Sequence, residues 1–174
     1  ETFVSHYRDE IKTGNAYSIE AYARMPVWVA VEAFSFGSLS RLIEASSKSG
    51  VLHDMAASMN VSPTTLPSQV RSFVYLRNRN AHCAKLWNHA VLDRPGLLSN
   101  IARRAKRDHR QFSDHSIYKI FVALDQVATK TGLQQDWLAN RVEPILATNA
   151  LLAAGIATPA RYGEMQKQLL TADH

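Results

Sequence analysis

The chain has 174 residues, 46% of them apolar and 20% charged, with seven glycines and six prolines. That is enough apolar side chain for a full core in one domain, and it excludes a collagenous, low-complexity or disordered polymer. One cysteine excludes an internal disulfide framework and fits a reducing cytoplasm, no apolar run reaches the roughly 18–20 residues of a membrane span, and a formal charge of +5 permits a polyanionic partner without requiring one.

From the N-terminus, Phe3, Val4, Tyr7 and Ile11 define a short amphipathic helix over residues 2–12, stopped at Gly14, with His6 on its surface. Asn15 to Arg24 reads as a connection in which Tyr17 and Tyr22 pack or face a groove. Pro26 suits the first turn of a helix running to about Ser46. Val27, Val31, Phe34, Leu39 and Leu42 give that helix its apolar stripe, and Trp28 and Phe36 widen it. Trp28, Phe34 and Phe36 are expected in the core, while Gly37 and the serines at 35, 38 and 40 thin the helix so that another can approach. Glu32 lies among apolar neighbours, so it either meets a cation, for which Arg77 is the candidate, or stands in solvent.

Ser49-Gly50 breaks the chain and Val51–Met59 makes a short helix. Ser62-Pro63-Thr64-Thr65 then opens the central helix, with Pro67 tolerable in its first turn. No proline or glycine interrupts Val70 to Asn88, so one long helix is expected there. Leu66, Val70, Phe73, Val74, Leu76, Ala81, Ala84 and Trp87 form its apolar arc; Arg71, Asn78, His82, Lys85 and His89 face the other way. Arg77 is rotated roughly 140° from His82 and falls inside the arc. A buried guanidinium keeps its charge, so it pairs with a carboxylate such as Glu32 or it awaits a phosphate. An arginine to hold phosphate charge, an amide to orient and a histidine to move a proton are also what RNA cleavage without a metal needs. Cys83 points away from His82 and reads as a small buried apolar residue.

Two blocks carry a resemblance. Arg77-Asn78-x-x-x-His82 followed by Leu86-Trp87-Asn88, and Met25-Pro-Val-Trp-Val-Ala-Val-Glu-Ala-Phe-Ser-Phe-Gly-Ser-Leu-Ser-Arg-Leu42 before it, resemble the Abi-like abortive-infection proteins of the AbiD and AbiF type. These are bacterial phage-defence proteins of the HEPN superfamily, and the likeness runs from about His6 to Trp137. The chain departs from the pattern at Asn80, at Cys83, where a second histidine is frequent, and at His89, where an arginine commonly follows Trp-Asn. The resemblance implies an all-α, HEPN-like helical bundle with additional C-terminal helices. The chain length and the lack of a domain boundary make residues 1–174 a single expected domain, and the resemblance implies a fragment lacking an N-terminal segment that relatives carry.

Past Asn88 the helical pattern fails at Asp93-Arg94-Pro95-Gly96, a turn. A basic run comes next: Arg103, Arg104, Lys106, Arg107, His109 and Arg110. It is either a solvated face or, with Lys85 and His89, a rim that holds RNA phosphates without reading sequence. Ser113-Asp114 caps a helix to about Thr131, ending at Gly132. Leu133–Thr148 makes another, bent or shortened by Pro144, before a loose segment over Ala150–Ile156 and a terminal helix over Arg161–Leu170. The histidines are scattered, without a cysteine pair or His-Glu-x-x-His, so no metal or other cofactor is expected.

What the resemblance implies chemically is an endoribonuclease. A 2′-hydroxyl attacks the adjacent phosphate, with His82 as general acid or base, Arg77 stabilising the phosphate and Asn78 orienting it or His82. Related proteins pair two motif helices across a two-fold axis, which would bring one chain's Arg77 to its partner's His82 and makes a homodimer the expected assembly; an arginine reaching around its own helix, or a local kink, would do the same within one chain. RNA, and an antitoxin or regulatory RNA, are the expected partners. The competing reading is a helical module that binds RNA or a protein without cutting.

Overall fold

In a computed structural model the structure describes residues 25–159, and every regular element among them is helical. The expectations for His6, Tyr17, Tyr22 and the terminal helix fall outside the described residues. In chain order the elements are α1 (Val27–Ala33), α2 (Phe36–Ala45), a 3-10 turn (Ser46–Lys48), α3 (Gly50–Ser58), α4 (Leu66–Ala81), α5 (Ser99–Asp108), α6 (Ile117–Lys130), a π-turn (Leu138–Val142), α7 (Glu143–Ala147) and α8 (Ala150–Ala157). The fold is an all-α bundle.

α4 is its spine. Leu66 and Val70, in the N-terminal half, pack into a cluster with Ile43 of α2 and Leu52 and Ala56 of α3. Phe73, Tyr75 and Leu76, further along, lie on a larger cluster built from Ile117, Tyr118, Ile120 and Val122 of α6 with Leu138, Val142, Leu146 and Ile156. Leu66 is 1% exposed, and truncating such a side chain costs about 2–5 kcal/mol. Two polar residues of α4 that the apolar arc left out, Gln69 and Ser72, are wholly buried. Gln69 Nε2 donates to the Gly96 carbonyl at 3.0 Å, and the Gly96 N–H donates to Ser68 Oγ at 2.9 Å. Together these bonds clamp the 83–98 loop to the first turns of α4.

Several boundaries differ from the sequence expectation. The helix expected to run from Pro26 to Ser46 is two helices. Phe34 is extended, and Ser35 caps α2 by accepting the Ser38 N–H at 3.1 Å. The break throws the apolar stripe out of phase, so Val29 is the buried residue of α1 while Trp28 (69%) and Phe34 (41%) are exposed rather than in the core; of the three aromatic residues expected there, Phe36 packs inward. α6 is capped by Ser116, which accepts the Lys119 N–H at 3.1 Å, not by Ser113-Asp114. The helix expected from Leu133 begins only near Trp137, where Asp125 Oδ1 accepts the Leu138 N–H at 2.8 Å. Pro144 does not end it; the π-turn just before widens the backbone where the proline ring would meet the preceding carbonyl. Ala150–Ala157 is a capped helix with four buried residues, not a loose segment.

Candidate functional site

The principal difference is at the motif. α4 stops at Ala81, not Asn88. Cys83 adopts φ +49°, and the Cys83 N–H reaches the Asn80 carbonyl (3.0 Å) while the Ala84 N–H reaches the Arg79 carbonyl (2.7 Å). That bond pair closes a helix through a left-handed residue, a position glycine usually fills. The same closure ends α3 at Asn60 and α6 at Gly132. His82 is therefore the residue that caps the C-terminal end of α4, at a corner, and Cys83 is exposed rather than buried.

The segment beyond the corner is held from three sides. Arg79 reaches forward and donates Nη2 to the Lys85 carbonyl at 2.5 Å, its guanidinium lying 5.8 Å from the Tyr75 ring centroid. Trp87 Nε1 donates to the Leu151 carbonyl at 2.9 Å and the Asn88 N–H donates to the Gly155 carbonyl at 2.9 Å, so the Leu86-Trp87-Asn88 block docks on α8. Tyr75 and His89 share a short hydrogen bond between hydroxyl and Nε2 and stack at 17°, with centroids 6.0 Å apart. Burial of the His89 ring, and then the nearby charges of Arg79 and Lys85, push its pKa below the ordinary histidine value.

Beside the corner lies an open cleft of about 540 Å³ between α2 and α4. Its α2 wall is Gly37, Ser40, Arg41 and Glu44, spaced by three and four residues and so one face of a helix. Its α4 wall is the matching stripe Arg71, Val74, Tyr75, Asn78 and His82, with Arg79 alongside and Asp93 closing one end. Arg71 Nη1 donates to Glu44 Oε1 at 3.1 Å across the cleft, and its Nε is 3.9 Å from Asp93 Oδ1.

The residues singled out in the sequence divide accordingly. Asn78 and His82 line this cleft together, both exposed to solvent. Arg77 does not line it and is exposed, not buried in an apolar arc. The arc had borrowed Ala84 and Trp87, which lie beyond the helix, and burial on α4 fades after Ser72. Glu32 is exposed, and among the described residues neither it nor Arg77 forms an ion pair. Lys85 Nζ stands 5.0 Å from the Trp87 ring centroid, and His89 is engaged by Tyr75.

Arg103, Arg104, Lys106 and Arg107 of the basic run lie on α5, His109 and Arg110 follow it, and none of them lines this cleft. Arg103, Arg104 and Arg107 line a separate shallow cleft with Asn100 and Ile101. Arg107 is paired with Asp108 at 2.7 Å, and Lys106 Nζ lies 5.0 Å from the Phe112 ring centroid. Arg110 is withdrawn from the run altogether, its Nη2 donating to Glu143 Oε2 at 2.6 Å. The residues that sequence reasoning missed are Arg41, Arg79 and Tyr75. The last falls at a helical step from Arg71, Asn78 and His82, so the periodicity alone could have found it.

No helix among the described residues is long and apolar enough to cross a membrane. Neither a curated protein nor a solved structure matches the chain. A family model described as Abi-like protein matches residues 1–88, from the chain start through Asn88, the residue that docks on α8. With α1 to α4, the whole cleft wall up to His82 and the Leu86-Trp87-Asn88 block inside a match that spans half its length, the chain belongs to the Abi-like protein family.

Proposed function

We propose that the chain is a metal-independent endoribonuclease of abortive-infection phage defence, with a HEPN-type helical bundle. Membership of the Abi-like family supports the defence role. The observation that carries the chemistry is that His82 and Asn78 share one open cleft with guanidinium groups on both walls. A histidine moves protons near neutral pH, an amide donates and accepts, and arginines neutralise phosphate. In the reaction the RNA 2′-hydroxyl gives up its proton and attacks phosphorus. The bond to the 5′-oxygen breaks and that oxygen takes a proton, leaving a 2′,3′-cyclic phosphate and a 5′-hydroxyl. His82 is the group that takes or gives one of these protons, and Asn78 orients the ring or the phosphate.

Arg77 stands outside the cleft of its own chain. It enters the reaction from a second copy, in a homodimer whose two motif corners face each other, each Arg77 serving the other chain's His82. Arg103, Arg104, Lys106 and Arg107 on α5, with Lys85, would hold flanking phosphates. Since α4 contributes to both apolar clusters, we read residues 1–174 as one domain. It works in the cytoplasm on RNA under an antitoxin or regulatory RNA. The position of Arg77 also favours a second reading, a module that binds RNA or a partner protein without cutting.

Incubation of labelled single-stranded RNA with the protein and a chelator separates the two. Cleavage with cyclic-phosphate ends is expected, lost in His82→Ala and in Arg77→Ala while RNA binding persists in His82→Ala. Mixing the two inactive variants restores about one quarter of wild-type activity if each dimer site draws on both chains. Unimpaired cleavage by His82→Ala, or none by the wild type, overturns the enzymatic reading.

A further inference from the structure

Among the described residues, three guanidinium groups line the His82 cleft, and they are not equivalent. Arg71 is held by Glu44 and faces Asp93, so its charge is offset by two carboxylates that also repel an incoming phosphate. Arg79 is spent on structure: its Nη2 binds the Lys85 carbonyl, its plane lies near Tyr75, and its Nε is buried without an acceptor. Arg41 differs. It is exposed, lines the same cleft as Asn78 and His82, and has no hydrogen bond or ion pair among the described residues. Its neighbours on the same wall are the small Gly37 and Ser40 and, on the other side, Glu44, whose carboxylate is engaged by Arg71. A guanidinium with every donor free presents a planar fork that matches two phosphate oxygens.

We infer that Arg41 of α2 is a substrate-binding residue that grips an RNA phosphate in the cleft beside His82, from within the same chain. The inference rests on the cleft being an RNA site, as proposed for the Asn78 and His82 pair, and adds a contact that the Arg77-Asn78-x-x-x-His82 motif does not contain. It also divides the work. Arg41 holds phosphate in the ground state from the cleft wall, while Arg77 comes from a second copy at the reacting step. The packing of α2 against α4 makes this possible by bringing the two stripes face to face.

The test measures binding of a short single-stranded RNA by the His82→Ala protein, which leaves the RNA intact, across a series of salt concentrations. Arg41→Gln in that background is expected to weaken binding several-fold and to flatten the plot of log affinity against log salt by about 0.7, the counterion release of one phosphate contact. Arg41→Lys restores the slope, because the charge returns, but not the full affinity, because the fork does not. Parental affinity and slope in Arg41→Gln, with helicity unchanged by circular dichroism, overturn the inference. Should the protein with His82 intact cut RNA while Arg41→Gln keeps the parental slope, the cleavage reading stands and the Arg41 contact falls. Should it fail to cut while Arg41→Gln still flattens the slope, the contact stands and the enzymatic reading falls.

Discussion

Gly155 is the most exacting position for the loop that carries His82, and Gly155→Ala is expected to loosen it. A Cβ built on Gly155 would lie 2.2 Å from Trp87 Nε1, 2.5 Å from Cδ1 and 2.7 Å from Cε2. Ordinary contact between such atoms is about 3.5–4.0 Å, so the indole must retreat by roughly 1 Å. Retreat breaks the 2.9 Å bond from Nε1 to the Leu151 carbonyl, a loss of about 1 kcal/mol, and strain from overpacking adds about 1–3 kcal/mol. Alanine's better helix propensity inside α8 returns about 1 kcal/mol. The net cost is about 1–3 kcal/mol, a fall in Tm on the order of 5 °C for a chain of this size. Thermal unfolding followed by far-ultraviolet circular dichroism measures it. Gly50→Ala, whose Cβ meets nothing within 4 Å, is the control and should leave Tm unchanged or slightly raised. Trp87→Phe on top of Gly155→Ala should cost less than it does in the wild type, because the smaller ring relieves the clash. A Gly155→Ala protein as stable as the wild type would show that Trp87 does not seat on α8.

Cys83→Gly should raise the urea midpoint, by about 0.5–1 kcal/mol of stability, because glycine adopts φ +49° without the penalty a Cβ imposes there; a lowered midpoint would refute the left-handed helix end. At the far end of the bundle, burial acts to raise the Glu143 pKa, but hydrogen bonds from Arg110 and Tyr118 outweigh it and hold the carboxyl below its ordinary value. A depressed carboxylate stabilises the fold above its unfolded pKa of about 4.3 and ceases to do so as pH falls through the folded value. Wild-type stability should therefore drop on acidification below about pH 4.3 more steeply than that of Glu143→Gln, and equal slopes would show that the Arg110–Glu143 pair carries no such linkage.

These contacts give the second half of the motif a structural role. Through the Trp87 indole bond, Leu86-Trp87-Asn88 fixes where the chain goes after the corner, by docking on a helix that arrives some 64 residues later. Arg79 and the Tyr75–His89 pair brace the same segment from α4. His82 is thus presented on a rigid turn rather than on a free helix face, and its ring is left to solvent and the cleft.

Local chemistry was legible in the residues. Pro67 in a first turn, Gly132 closing α6 and the apolar periodicity of α3, α4 and α6 could each be read without coordinates, because each depends on neighbours within a turn or two. So could the pairing of Asn78 with His82, one helical turn apart on a polar face. The end of α4 was not legible. Cysteine is a poor left-handed residue, and it takes that conformation here while Trp87 and Asn88 are tied to the backbone of α8. Nor was Arg41 visible as a neighbour of His82, since only the packing of α2 on α4 sets their stripes against each other. The sequence by itself determined the helical class, some of the helix ends and the shared face of Asn78 and His82. Only the tertiary structure decided which guanidinium groups face the histidine, because helix packing, not sequence spacing, brings side chains from separate elements into one cleft.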